Sequence, residues 1–263
     1  MKVQFPKFFG SPTLFAAIAG GVGLTSGPRA SAALLVDNFI SQQQVVVSTD
    51  ASGSVQIGTA SASAPSAIGG QRDVLVQKIF GAEQDELRAR VNPNGAALFR
   101  ISADEDVRGS TFTIYDGASD FSQTGVIDYD GLGGIDVTGE TAFRVTVGAS
   151  DLAGPLSVTI WDADDLTGNT FAVLSQTVAP RAAISGPIAF DFLLDDFTVF
   201  GASSLNDVYD SVGAIQFGVN GNGAAQAGWD SRYQSLEFIP EPGHFSLVGA
   251  LLAFGVSATR RRN

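Results

Sequence analysis

Short segments that alternate apolar and polar residues, punctuated by turn clusters, dominate this chain. Phe112-Thr113-Ile114-Tyr115 and Phe143-Arg144-Val145-Thr146-Val147 are two of them. A period of two places successive side chains on opposite faces, which is the pattern of a half-buried antiparallel strand. Strands are predicted at Leu34–Phe39, Gln44–Thr49, Val74–Phe80, Glu86–Val91, Ala97–Ser102 and Thr111–Tyr115. Others are predicted at Phe143–Val147, Leu156–Trp161, Thr170–Val178, Ile188–Phe200, Gly213–Val219 and Gln234–Ile239. Asn92-Pro93-Asn94-Gly95, Asp130-Gly131, Gly133-Gly134, Thr167-Gly168-Asn169 and the Gly-rich run 218–223 mark turns between them. No long segment has a 3.6-residue period, and the one short helical candidate, Asp85–Arg90, fits a strand equally well. So many strands in about 200 residues predict an all-β fold, an antiparallel two-sheet β-sandwich of jelly-roll type. The Ser/Ala/Gly-rich stretch 51–70 reads as a long connection within one domain.

Composition narrows the chemistry. The chain of 263 residues has no cysteine, so disulfides and thiolate metal or redox sites are excluded. Fifteen Lys+Arg stand against 27 Asp+Glu, a net charge of −12, which argues against nucleic-acid binding.

The two ends read as delivery signals and not as fold. Lys2 and Lys7 precede a small apolar stretch over 14–24, and Ala30-Ser31-Ala32 supplies the small residues that a signal peptidase reads. Residues 1–32 are therefore expected to be a cleaved signal peptide with Ala30 and Ala32 at the cut. At the other end, Pro240-Glu241-Pro242 precedes an uncharged run, Phe245–Thr259, and then Arg260, Arg261 and Arg262. Fifteen residues of helix rise about 23 Å, against a hydrocarbon core of about 30 Å. Flanking residues and snorkelling arginines would complete a crossing, with the arginines held on the cytoplasmic side. Residues 240–263 are thus expected to form a transmembrane helix that halts export and holds the domain on the outer face of the membrane.

This ordered trio resembles the PEP-CTERM sorting signal of Gram-negative bacteria. The resemblance covers only residues 240–263, and a Pro-Glu-Pro triplet alone would be weak. It implies recognition of Pro240, Glu241 and Pro242 and the Arg260–Arg262 cluster by an exosortase-type membrane enzyme. It further implies processing near the triplet, arrival at the cell surface or extracellular matrix, and association with exopolysaccharide and biofilm. A plain C-terminal anchor would share the topology without the processing.

Between the ends, residues 33–239 hold 9 basic and 26 acidic residues, a net charge of −17, with Lys78 the only lysine and no histidine. Without an imidazole, Ser-His-Asp and Cys-His hydrolases and histidine-ligated metals are excluded. Two carboxylates about 5 to 10 Å apart would suffice for a glycosidase, but a sequence does not place them. Calcium takes roughly six to eight oxygens. The acidic clusters Asp104-Glu105-Asp106, Asp128 with Asp130, and Asp162 with Asp164 and Asp165 are candidates for a structural Ca²⁺. In the third, Leu166 stands where a ligand of the full calcium loop belongs. All three also suit plain turns, because Asp bonds its own backbone. No other cofactor is expected, and Asp195-Asp196 is read as a strand-edge charge pair.

The aromatics divide by context. Trp161 closes an apolar strand, and Phe190, Phe192, Phe197 and Phe200 fall within the predicted strand Ile188–Phe200, so all are expected in the core. Trp229 lies in a polar, Gly-rich stretch and is the aromatic most expected to stand exposed as a ligand-binding platform.

The segments Leu34-Leu35-Val36-Asp37-Asn38-Phe39, Gly69-Gly70-Gln71-Arg72-Asp73-Val74, Gly131-Leu132-Gly133-Gly134-Ile135-Asp136 and the Asp/Phe-rich stretch from Phe190-Asp191-Phe192 to Phe197 follow in an order similar to ectodomains that carry PEP-CTERM tails. They also resemble jelly-roll carbohydrate-binding modules in which a strand ending in Asp-Phe starts the fold. Three functions follow as expectations. The first is a non-enzymatic surface or matrix protein, held in extracellular polysaccharide. The second is a carbohydrate-binding module on the same sandwich. The third is a carboxylate-dependent glycan-active enzyme.

Overall fold

A computed structural model describes residues 32–48, 55–118, 126–220 and 227–241. Among the described residues there are fourteen strands, in order β1 (Leu34–Asp37), β2 (Gln43–Ser48), β3 (Gln56–Ser63), β4 (Gln71–Phe80), β5 (Glu86–Val91), β6 (Phe99–Ala103) and β7 (Arg108–Tyr115). There follow β8 (Glu140–Ser150), β9 (Gly154–Asp162), β10 (Phe171–Val178), β11 (Ile188–Leu193), β12 (Thr198–Phe200), β13 (Val212–Val219) and β14 (Ser231–Pro240). One short helix, α1 (Asn206–Tyr209), precedes β13. Among the described residues no helix is long and apolar enough to cross a membrane.

The strands make two seven-stranded antiparallel sheets. The first, sheet A, runs β11-β8-β14-β6-β5-β2, with β1 also pairing to β14. The second, sheet B, runs β12-β10-β9-β13-β7-β4-β3. This is the antiparallel jelly-roll sandwich that the alternation predicts. Leu87, Ala89 and Val91 of β5, Phe99 and Ile101 of β6 and Tyr233, Leu236 and Phe238 of β14 point into the sandwich. They meet Val74 and Val76 of β4, Leu156, Val158 and Ile160 of β9 and Phe217 of β13. An aromatic chain crosses the gap: Phe39 lies 5.5 Å from Phe99, Phe99 lies 6.0 Å from Tyr233, and Tyr233 meets Phe217 edge-on at 5.1 Å. Burial of such side chains is the main favourable term in a fold without covalent staples.

A polar clasp also ties the two sheets. Arg72 of β4 and Asp37 of β1 are both fully buried, with Nη1 2.7 Å from Oδ2. Arg72 also donates from Nε to Gln43 Oε1 and from Nη2 to the carbonyl of Ser41. Asp37 accepts further from the Tyr115 hydroxyl at 3.0 Å and the Phe39 amide at 2.8 Å. Desolvation raises the Tyr115 phenol well above its usual value, and the Asp37 charge adds to this. A buried ion pair is tolerated when its remaining donors and acceptors are used in this way.

Three local expectations need correction. The stretch 51–70 contains β3, a full edge strand paired along β4. The predicted strand Ile188–Phe200 divides into β11 and β12, which join different sheets. A single 3-10 turn at Leu194–Asp196 lies between them, so Asp195-Asp196 is a corner and not a strand-edge pair.

Candidate functional site

On sheet A the core-facing residues alternate with residues that face outward, and the outward positions of three neighbouring strands are arginines. Arg90 of β5 stands directly opposite Arg100 of β6, and Arg100 stands directly opposite Arg232 of β14. Their immediate neighbours, Ala89, Val91, Phe99, Ile101, Ser231 and Tyr233, are buried, so the arginines lie on the outer face. Ala149 of β8 continues the row beyond Arg232, and its small side chain leaves a depression. Arg181 completes the line, joined to β8 by an isolated bridge to Ser150.

The depression is a cleft of about 480 Å³ whose polar lining includes Arg100, Ser150, Asp151, Arg181, Asp230 and Arg232, beside the apolar Pro180, Ala182 and Ala183. A second hollow of about 190 Å³ shares Arg100 and Arg232 with it and extends to Arg90 and the Pro93–Leu98 turn. Together they form a groove across the strands.

The cleft walls are fixed by hydrogen bonds. The Asp230 amide donates to Asp151 Oδ1 at 2.8 Å, and the Asp151 amide donates to the Asp230 carbonyl at 3.0 Å. Asp230 Oδ1 accepts from the Ala103 amide at 3.2 Å, and Oδ2 lies 4.0 Å from Arg100 Nη2. Burial raises the Asp230 carboxyl above its usual range, and the Asp151 charge acts in the same sense. The Ala103 hydrogen bond and the charges of Arg100 and Arg232 oppose it. Arg181 is clamped by donating from Nε and Nη2 to the carbonyl of Gly186, and from Nη2 to that of Ser185. The groove therefore presents preset guanidinium and carboxylate groups on rigid strand ends. These are suited to hydrogen-bonding a polyhydroxylated chain.

Trp229 does not provide an exposed platform. Only 4% of it is exposed, and its ring lies against Gly154, where a Cβ would fall 2.4 Å from ring atoms. Its Nε1 donates to Ser150 Oγ at 2.7 Å, and that hydroxyl donates to the Leu152 carbonyl. The polar sequence around Trp229 belongs to the rim, whereas the indole fills the open end of the sandwich. It is a pillar beneath the cleft, holding Ser150 on one wall and Asp230, the next residue, on the other.

The acidic clusters serve turns. Asp162 Oδ1 accepts from the Asp164 amide, and Asp165 accepts from the Thr167 amide and hydroxyl and the Thr170 amide. Those bonds hold the Asp165 carboxyl down at about 2. Burial raises Asp162, and the charges of Asp164, Asp210 and Asp165 add to this. Among the described residues no group of three or more His, Cys, Asp or Glu side chains is placed to hold a metal ion. Asp104 Oδ2 takes the Glu86 amide at 2.8 Å, and Asp128 is raised chiefly by its hydrogen bond with Asp130.

Trp161 is nearly buried on the outer face of sheet B, between Tyr129 and Phe171. Phe192 and Phe197 are core, Phe190 is half-buried, and Phe200 is exposed, stacked 4.9 Å from Phe171. Pro240 ends β14 and Glu241 donates its amide to the Gly139 carbonyl. Ala32 is exposed, while Ala30, Pro242, Arg260, Arg261 and Arg262 lie outside the described residues. Sequence reading missed the groove residues Arg90, Arg100, Asp151, Arg181, Asp230 and Arg232. The available signal was the alternation of Arg90, Arg100 and Arg232 with core residues, but only the strand register aligns them.

No protein-family model matches the chain, and no curated protein matches it in sequence. Among solved structures it is similar to the family 11 carbohydrate-binding module from Clostridium thermocellum in complex with a beta-1,3-1,4-mixed-linked tetrasaccharide. That match has 11% identity, 79% of this chain, 95% of the other and a TM-score of 0.39. The family 11 carbohydrate-binding module of the cellulosomal cellulase Lic26A-Cel5E of Clostridium thermocellum matches at 11% identity, 82% of this chain, 99% of the other and a TM-score of 0.39. PfGH50B matches at 10% identity over 57% of this chain and 21% of the other, with a TM-score of 0.35.

Proposed function

We propose that the sandwich is a glycan-binding, non-enzymatic domain of an exported protein that resides at the cell surface or in the extracellular matrix. The observation that carries this reading is the open groove on sheet A, with hydrogen-bonding side chains held on strand ends. Its size suits a few sugar units, and its walls carry backbone-anchored Asp151, Asp230 and Ser150. Both carboxylates accept backbone amides, which favours a positioning role over proton transfer. The end segments support delivery. Residues 1–32 would be removed on export, and the Pro240-Glu241-Pro242 segment with Arg260–Arg262 would hand the precursor from a transient inner-membrane anchor to an exosortase-type enzyme.

Two measurements test this. Affinity electrophoresis of the full chain through gels containing different polysaccharides is expected to show retardation that Arg232→Ala abolishes without loss of fold. Retardation by no polysaccharide would overturn the glycan reading. Intact mass of the protein recovered from the cell surface is expected to lack both ends, and a mass retaining both would overturn the sorting reading.

A further inference from the structure

We propose that the row Arg90–Arg100–Arg232 binds a carboxylate-bearing polysaccharide laid across strands β5, β6 and β14. This deepens the glycan reading and rests on it. Like charges directly opposite one another on a sheet are destabilising, yet two successive pairs here are arginine on arginine. They stand together in a domain with only 9 basic residues and a net charge of −17. Elsewhere on this face arginines have acidic partners. Arg144 forks onto Asp191 at 2.7 and 2.9 Å, and Arg88 pairs with Glu86. Within the row the one ion pair among the described residues is the 4.0 Å approach of Arg100 to Asp230. The Nε of Arg90 is shielded from solvent and has no hydrogen-bond partner among the described residues.

Adjacent strands are about 4.8 Å apart, so the backbone positions of the three arginines recur at that interval, and their long side chains can reach successive residues of an extended glycan. A planar guanidinium matches a carboxylate through two parallel hydrogen bonds. A uronate-type chain running across the strands would place one carboxylate over each arginine and its hydroxyls over Asp151 and Asp230. The acidic remainder of the domain does not forbid this, because charges beyond about 8 Å are largely screened at physiological salt.

The test compares binding of the full chain to polygalacturonate, to the same polymer after carboxyl reduction to the neutral sugar, and to double-stranded DNA. The expected result is binding to polygalacturonate and at least tenfold weaker binding to the reduced polymer and to DNA. Each of Arg90→Gln, Arg100→Gln and Arg232→Gln is expected to weaken binding about tenfold, the scale of one lost charge-assisted hydrogen bond. Arg100→Gln is also expected to raise the melting temperature, since it removes both like-charge pairs, and this separates lost binding from lost fold. Equal binding to the reduced polymer overturns the carboxylate proposal and leaves the glycan reading standing. Equal binding to DNA overturns it in favour of a general polyanion surface. Binding to neither sugar polymer overturns the carboxylate proposal, and if no other polysaccharide retards the chain it overturns the glycan reading as well.

Discussion

Asp37 and Arg72 meet at 2.7 Å, fully buried, across the space between the two sheets. They come from the two sequence segments that open the domain, and they bind the first strand of one sheet to the β3–β4 edge hairpin of the other. In a protein without cysteine this contact does the topological work that a disulfide would otherwise do.

The clasp gives the first prediction. Asp37→Ala or Arg72→Ala leaves an uncompensated buried charge and is expected to cost about 3–5 kcal/mol. The paired replacement Asp37→Leu with Arg72→Met is expected to cost less than either single change. Urea unfolding of the three variants checks this, and additive losses in the double variant would contradict it.

Both tryptophans are nearly buried, Trp229 at 4% and Trp161 at 9% exposure. Iodide is therefore expected to quench native fluorescence weakly and unfolded fluorescence strongly. Trp229→Ala is expected to cost about 3–5 kcal/mol, by emptying the site under the cleft. Trp229→Ala that abolished glycan retardation while leaving stability unchanged would contradict the pillar role.

Acid stability carries a sign. The Asp165 carboxyl is held down at about 2 by Thr167 and Thr170, and Asp191 is lowered chiefly by its hydrogen bonds with Arg144. A depressed carboxylate stabilises above its unfolded value, about 3.9, and that stability is lost as pH falls through the folded value. The melting temperature is therefore expected to drop between about pH 4 and pH 2, less steeply in Asp165→Asn. Superimposable acid limbs would contradict this.

Lys78, the only lysine between the two ends, is 4% exposed, and its Nζ donates to the carbonyls of Ala82 at 2.7 Å and Asp85 at 2.6 Å. An amine-reactive reagent is expected to leave Lys78 unmodified in native protein and to modify it in urea, read by peptide mass spectrometry. Rapid native modification would contradict the caged amine.

Most strands were legible because one face of each is apolar, as in β5, where Leu87, Ala89 and Val91 alternate with Glu86, Arg88 and Arg90. β3 was not, because Gln-Ile-Gly-Thr-Ala-Ser-Ala-Ser has almost no apolar contrast. Its Gly58 is small for a reason, since a Cβ there would meet Val47 at 2.6 Å. Trp229 was misread for a related reason. Local polarity reports the rim, whereas the ring turns inward against Gly154, far away in sequence. The arginine row was invisible because register is a property of pairing. Residues 90, 100 and 232 come together only once β5, β6 and β14 are neighbours.

The most direct test of the central claim is hydrogen–deuterium exchange of the full chain with and without a polysaccharide that retards it. Protection is expected in β6, the start of β14 and the segments around Asp151 and Arg181. Protection confined to the outer face of sheet B, around Trp161, Phe171 and Phe200, would contradict the assignment of the groove as the binding site.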